Sequence, residues 1–344
     1  MASTTSQILD AMLNFRLGYI GDRWNFVNAV GTSTAAPGGI GTGVALTFSF
    51  PTSLPAYDSG ITGFQALSAE QMAAARLVFA HYANLTGLSF TETAQLGTGN
   101  IALIQHDFAG QSGVAGYAYS PGLGYSYDGG NTIVEVFQTP NGEPTNFSNG
   151  DVFLHAGYAT GDYAPGGAGY EVLLHEIGHA MGLKHPFESP GALPVDEDHK
   201  GNTVMSYTDA PHSLRVIVTG TSQSYSMAFV NVEPRTLMRY DILALQHAYG
   251  ANASYRSGAN VYSWQAGEKF FETLWDGGGT DTIDASNQTL GNVIDLTPGS
   301  FSSIGLRRTT AELLADIPAY AQATVLSNVT TDELYSGQDN LAIA

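Results

Sequence analysis

An α+β fold is predicted, with a larger first domain over residues 1–250 and a smaller β-rich, Gly-rich domain over 251–344. Three observations predict it. A capping box at Ser68-Ala69-Glu70-Gln71 opens a run in which Met72, Ala75, Val78, Phe79 and Tyr82 recur at helical spacing. Short strand-like runs bounded by Gly, Pro and Asn follow it. After Gly250 the chain turns to Gly, Asn, Ser and Thr with short β-type runs.

The elements follow in order. Ile8–Phe15 carries apolar residues at helical spacing and predicts a short helix, and a Gly/Ala/Pro-rich loop spans 31–43. Ala45–Phe50 alternates and stops at Pro51, a strand; the capped helix then runs to about Asn84. Strands are expected at Leu88–Thr93, Asn100–Gln105, Ala115–Ser120 and Thr132–Phe137. Helices are expected over Tyr170–Leu183 and Pro234–Tyr249, the second with Pro in its first turn and Gly250 after its end. Ala311–Asp316 suits one helical turn inside the β-rich tail.

Composition narrows the function classes. The 344 residues carry 12 Lys+Arg against 31 Asp+Glu, a net charge of −19, so a nucleic-acid partner is not expected. Hydrophobic residues make up 43%, enough to bury a core, and no apolar stretch approaches the roughly 20 residues of a membrane span. With no cysteine there are no disulfides, thiolate metal sites or cysteine nucleophiles. The first residues lack the basic start, apolar run and cleavage site of a secretory signal.

The chemistry concentrates in His175-Glu176-Ile177-Gly178-His179-Ala180-Met181-Gly182-Leu183-Lys184-His185-Pro186. Two histidines four apart share one helix face and can converge on one ion. Glu176 then projects beside the metal. Gly182, free to take φ > 0, turns the chain back so that His185 adds a third nitrogen. Three neutral imidazoles leave one tetrahedral position for water, the arrangement of a catalytic zinc. The other six histidines (His81, His106, His155, His199, His212, His247) lack ligand spacing, and Asp196-Glu197-Asp198 reads as a solvated loop.

This segment resembles the HExxHxxGxxH signature of metzincins, followed by a Met-turn at Thr203-Val204-Met205-Ser206-Tyr207. Pro186 directly after the third histidine, and Tyr207 two residues after Met205, resemble the serralysin branch, the secreted bacterial RTX-type metalloproteases. LTFSFP (46–51), SAEQMAAARL (68–77), LSFTET (88–93), DILALQHAYGAN (241–252) and LWDGGGTDTIDAS (274–286) look like serralysin segments in the expected order. Three departures stand out. The stretch from His185 to Met205 is shorter, 307–337 looks like an insertion, and the chain stops where the family would run into its calcium-binding repeats.

The resemblance implies a metzincin catalytic domain, a mixed twisted sheet with an active-site helix and a backing helix, followed by the start of an RTX-like calcium-binding domain. It implies Zn²⁺ on His175, His179 and His185, Glu176 as general base, and Tyr207 as both resting zinc ligand and hydrogen-bond donor to the reacting carbonyl. Met205 is expected as an apolar floor. Peptide is expected to lie antiparallel to an edge strand containing Ala115, Gly116, Tyr117 and Ala118. Ca²⁺ is expected between Asp276, Gly278, Gly279 and Asp281 and the segment Arg256, Gly258, Asn260, which resembles half of a calcium loop. Polypeptide substrates, a proteinaceous inhibitor as partner, a monomeric state and bacterial export without an N-terminal signal complete the expectation. The competing expectation is a catalytically idle, calcium-stabilised surface or assembly protein on a protease fold.

Overall fold

The structure, a computed structural model, describes residues 2–16, 19–20, 22–25, 29–30, 39–94, 101–108, 113–121, 123–127, 133–138, 149–158 and 161–344, with backbone alone at 15–16, 19–20, 29–30, 123–127 and 133–138. Most of the loop expected at 31–43 lies outside the described residues, as do Asn100 and Thr132 from two of the expected strands.

Six helices are present among the described residues: α1 (Thr5–Met12), α2 (Ala69–Leu85), α3 (Ala168–Ala180), α4 (Arg239–Tyr249), α5 (Thr310–Leu313) and α6 (Ala319–Asn328). A five-stranded sheet lies beside α2 and α3, in the order Leu88–Glu92, Val44–Ser49, Ile101–His106, Val152–His155, Gly116–Ala118. The first four strands run parallel and Gly116–Ala118 is antiparallel to Val152–His155, so the sheet is mixed, with its one reversed strand at an edge. All six residues of Ile101–His106 are buried, as expected of a strand covered on both faces.

Helix α2 starts where its capping box predicts. Ser68 Oγ accepts from the Gln71 amide at 3.2 Å, and Gln71 Oε1 accepts from the Ser68 amide at 2.8 Å. Its buried stripe (Ala75, Val78, Phe79, Tyr82) meets α3, where the Tyr82 hydroxyl donates to the Leu174 carbonyl at 2.8 Å. The core of the molecule therefore sits between the sheet and the helix that carries the histidines.

Several expectations are corrected. The first helix is Thr5–Met12, and Phe15 lies instead in a short bridge. Helix α4 begins at Arg239, because 234–237 is drawn into contact with the C-terminal region: Arg235 N donates to Phe271 O at 3.0 Å and Thr273 N to Thr236 Oγ1 at 2.9 Å. The strand expected over Ala115–Ser120 is shorter, Gly116–Ala118. An antiparallel hairpin, Leu214–Thr221 with Ser224–Asn231, was not expected, nor was α6. These two pack together: Val216, Val218, Tyr225 and Met227 lie against Leu314, Ile317, Ala321 and Val325. Residues after 250 add a two-stranded and a four-stranded sheet with a small core around Tyr262, Trp264, Phe270 and Ile304, while Phe271 and Tyr335 join the main core.

Candidate metal centre and catalytic cleft

Helix α3 brings His175 and His179 onto one face, with ring centroids 4.8 Å apart. Its end is fixed by a Schellman closure, Leu183 N to Gly178 O at 3.0 Å and Gly182 N to His179 O at 2.8 Å. Gly182 takes φ +94°, and a Cβ there would lie 1.8 Å from Asp22 O. Glycine is required twice over, by the turn and by the close approach. The reversal returns His185 to the other two rings.

Each imidazole is held from behind. His175 Nδ1 donates to Val204 O at 2.7 Å, His179 Nδ1 to Leu183 O at 2.8 Å, and His185 Nδ1 to Glu188 Oε1 at 2.7 Å. Those acceptors have no hydrogen to give, so in the neutral rings the protons sit on Nδ1 and the Nε2 lone pairs are bare. His179 Nε2 and His185 Nε2 nevertheless lie 3.0 Å apart, and one ligand atom from each of the three rings falls within 4.8 Å of the others. Two bare lone pairs at that distance repel; a cation between them removes the conflict. Burial, and then the neighbouring imidazole, holds His175 well below its ordinary pKa and His179 down at about 4, which keeps both in the ligating neutral form. The donor set fits a divalent metal.

The Met-turn supports this from beneath. Asp241 of α4 is fully buried, and its carboxylate accepts from Thr203 Oγ1 at 2.6 Å, Val204 N at 2.9 Å and Met238 N at 2.8 Å. That fixes the Val204 carbonyl on which His175 leans. Met205 is buried under α3; a Cβ on Gly178 would come 2.7 Å from its sulfur. Tyr207 is 67% exposed, and its hydroxyl donates to His185 Nε2 at 2.9 Å.

Glu176 faces a cavity of about 420 Å³ shared with Glu171, His175, Lys200 and Tyr207. Its Oε2 is buried with no hydrogen-bond partner. Burial, and secondarily Glu171, pushes its carboxyl up to about 8. Gly116 on the edge strand lies so close that a Cβ there would meet Glu176 Cγ at 2.8 Å and Oε1 at 2.9 Å. The strand, the carboxylate and His175 thus line one cleft.

A family model of Reprolysin-like metallopeptidases (family M12B) matches residues 151–214, the stretch holding the three histidines and the Met-turn. The chain is 30% identical to metallopeptidase AprA of Pseudomonas marginalis over 286 residues, 76% of this chain and 54% of that protein. It is 30% identical to serralysin C of Dickeya chrysanthemi over 317 residues (82% and 55%) and 27% identical to serralysin of Photorhabdus luminescens over 262 residues (71% and 48%). This chain belongs to the serralysin-like metzincins. It spans about half the length of the curated relatives it matches.

In this serralysin-like chain the second expected ion site is also drawn together. Asn260 Nδ2 lies 2.7 Å from Arg256 O, 2.8 Å from Gly258 O, 3.4 Å from Asp281 Oδ1 and 3.5 Å from Asp276 Oδ2. Four oxygens from two segments thus surround one nitrogen. Gly279 packs on the Gly258 carbonyl, where a Cβ would sit at 2.1 Å, and both Gly278 (φ +143°) and Gly279 (φ +124°) use backbone reserved for glycine.

Other residues around the serralysin-like cleft escaped the sequence reading. Glu188 carries a usable signal, three residues past His185 with a carboxylate. Asp241, Glu171 and Lys200 carry none, because their partners are distant in sequence. The patch Asp196-Glu197-Asp198 is a correction: Glu197 is buried, accepts from Tyr240 OH at 2.6 Å and Ser3 N at 2.8 Å, and Asp198 accepts from Ser206 Oγ at 2.6 Å. Among the described residues no other group of three His, Cys, Asp or Glu side chains gathers closely enough to hold a metal.

Proposed function

We propose that this chain is a zinc endopeptidase, with His175, His179 and His185 as metal ligands and Glu176 as general base. One observation carries the reading: three back-bonded imidazoles aim bare Nε2 atoms at a common point beside a buried, unpartnered carboxylate. Zinc held there supplies Lewis acidity and lowers the pKa of a water from 15.7 to about 7. Glu176 takes the proton of the attacking water and returns it to the leaving amine. Its low-dielectric position favours the carboxylic acid until a positive charge is near, which suits a group that must both accept and release a proton. Tyr207, able to swing because its ring is largely exposed, donates its hydroxyl to the carbonyl oxygen as charge develops. Polypeptide lies antiparallel to Gly116–Ala118, the edge strand beside Glu176, and takes backbone hydrogen bonds there.

The oxygen set of Arg256, Gly258, Asp276 and Asp281, with Asn260, Gly278 and Gly279, is read as a structural Ca²⁺ site. No helix among the described residues is long and apolar enough to cross a membrane. By likeness to the serralysins we place the protein outside a bacterial cell. The idle-scaffold reading is disfavoured because Glu176 and all three imidazoles are present and mutually oriented.

Casein digestion tests the proposal. The wild type is expected to cleave, to stop when a chelator strips the metal, and to recover with Zn²⁺. Glu176→Gln is expected to keep its zinc and lose about 10²–10⁴-fold in turnover, the weight of a general base. Full activity in that variant would remove Glu176 from the mechanism.

A further inference from the structure

The cavity beside the metal centre is charged at its far end. Glu171 lies one turn before His175 on the same face of α3, and Lys200 reaches it from the loop before the Met-turn; both line the cavity with Glu176. The Lys200 ammonium faces Glu233 Oε2 at 3.0 Å, Glu171 Oε2 at 3.4 Å and Asp209 Oδ1 at 3.9 Å. The ammonium donates to Glu233, and Glu171 and Asp209 lie within ion-pair reach. One positive charge against three carboxylates leaves the cluster formally at −2; Glu171, Glu233 and Lys200 are at most 15% exposed in their side chains, Asp209 is half-exposed, and Glu171 and Lys200 are the two that line the cavity. The unpartnered Oε2 of Glu176 faces the same cavity.

Chemistry decides which substrate residue meets this charge. Glu176 must return its proton to the leaving amine, so the residue bearing that amine sits beside Glu176. That places its side chain nearest the cavity that Glu176 and Glu171 both line. We propose that the cavity selects a cationic side chain, arginine or lysine, on the amine side of the scissile bond, with Glu171 as the selecting residue. A guanidinium or ammonium there offsets the excess negative charge that Lys200 leaves uncompensated. An acidic side chain meets Glu171 and Glu176, and the Lys200 ammonium is already drawn to Glu233 and Glu171. An apolar one leaves Glu171 dehydrated and the imbalance untouched.

The inference rests on the peptidase reading of the cleft, but its test needs no turnover. Product-side tripeptide amides beginning with Arg, Leu or Glu share a free amine and differ only in the side chain offered to the cavity. Calorimetry on the zinc-loaded wild type is expected to rank them Arg, Leu, Glu, with Arg at least about tenfold tighter than Leu, the weight of one charge-assisted hydrogen bond. Glu171→Gln is expected to bring Arg and Leu together. Leu or Glu binding as tightly as Arg to the wild type would overturn the proposal, whatever the variant does, and so would an unchanged preference in a folded Glu171→Gln. Casein cleavage with a Leu-first order sinks the pocket assignment alone. An Arg-first order without casein cleavage keeps the cavity's preference for a cation but overturns its assignment to the amine side of a scissile bond.

Discussion

The histidine centre and the oxygen ring at 256–281 both gather lone pairs from separated segments, yet they close in different ways. Around the ring, Asn260 turns its amide nitrogen into the gap, and two N–H groups satisfy carbonyls and carboxylates at 2.7–3.5 Å. At the histidines the described residues offer no such internal remedy. Every Nδ1 proton is already committed to Val204, Leu183 or Glu188, and among the described residues the only hydrogen reaching an Nε2 is that of the exposed Tyr207 hydroxyl. Oxygen sites next to an amide can close without an ion, whereas back-bonded imidazoles are left with a demand that only a cation meets. The first arrangement suits a stabilising ion that binds and leaves; the second suits a resident one.

Removing the Tyr207 hydroxyl tests this contrast most severely. If that hydrogen bond were what satisfies the triad, Tyr207→Phe would lose its metal-binding geometry. The expected outcome is retained zinc and a fall of about 10²–10³-fold in kcat, the usual weight of one donor to a developing oxyanion, read by steady-state kinetics with metal analysis on the same sample. Gly116→Ala probes the same cleft from the strand side. A methyl 2.8 Å from Glu176 Cγ must displace the carboxylate, so about 10² in kcat should be lost with zinc stoichiometry unchanged. Normal turnover would mean that strand and carboxylate are not in the close contact described.

The oxygen ring should respond more gently. Calcium at about 100 times its dissociation constant adds about 2.7 kcal/mol, or roughly 4 °C in Tm for a chain of this length. That shift should vanish in Asp281→Asn while zinc content and peptide cleavage persist. A Tm indifferent to calcium in the wild type would leave the ring as a self-closed turn.

The metal centre was legible because its determinants are local. Two histidines at helical spacing, a glycine able to reverse the chain and a third histidine just beyond it all act within one stretch, 175–185. What lay outside was long-range. Asp241 steadies the Val204 carbonyl from another helix, and Lys200 draws in Glu171, Asp209 and Glu233 from separate segments; neither pairing leaves a periodicity. Helix α4 starts later than its local sequence predicts for a related reason. Pro234 is a good first-turn residue by local preference, but Arg235 and Thr236 are recruited to pair with Phe271 and Thr273, and tertiary bonding outweighs the local tendency. The hairpin at 214–231 alternates in sequence, but its inner face is completed only by the distant α6, whose own apolar stripe is short.

Metal stoichiometry tests the central claim most directly. Zinc titrated into chelator-treated protein, followed by calorimetry and elemental analysis, should bind at one tight equivalent, and His185→Ala should lose that equivalent while the chain stays folded by circular dichroism. A folded wild type that takes up no zinc, or a His185→Ala variant that binds it as tightly, would contradict the account.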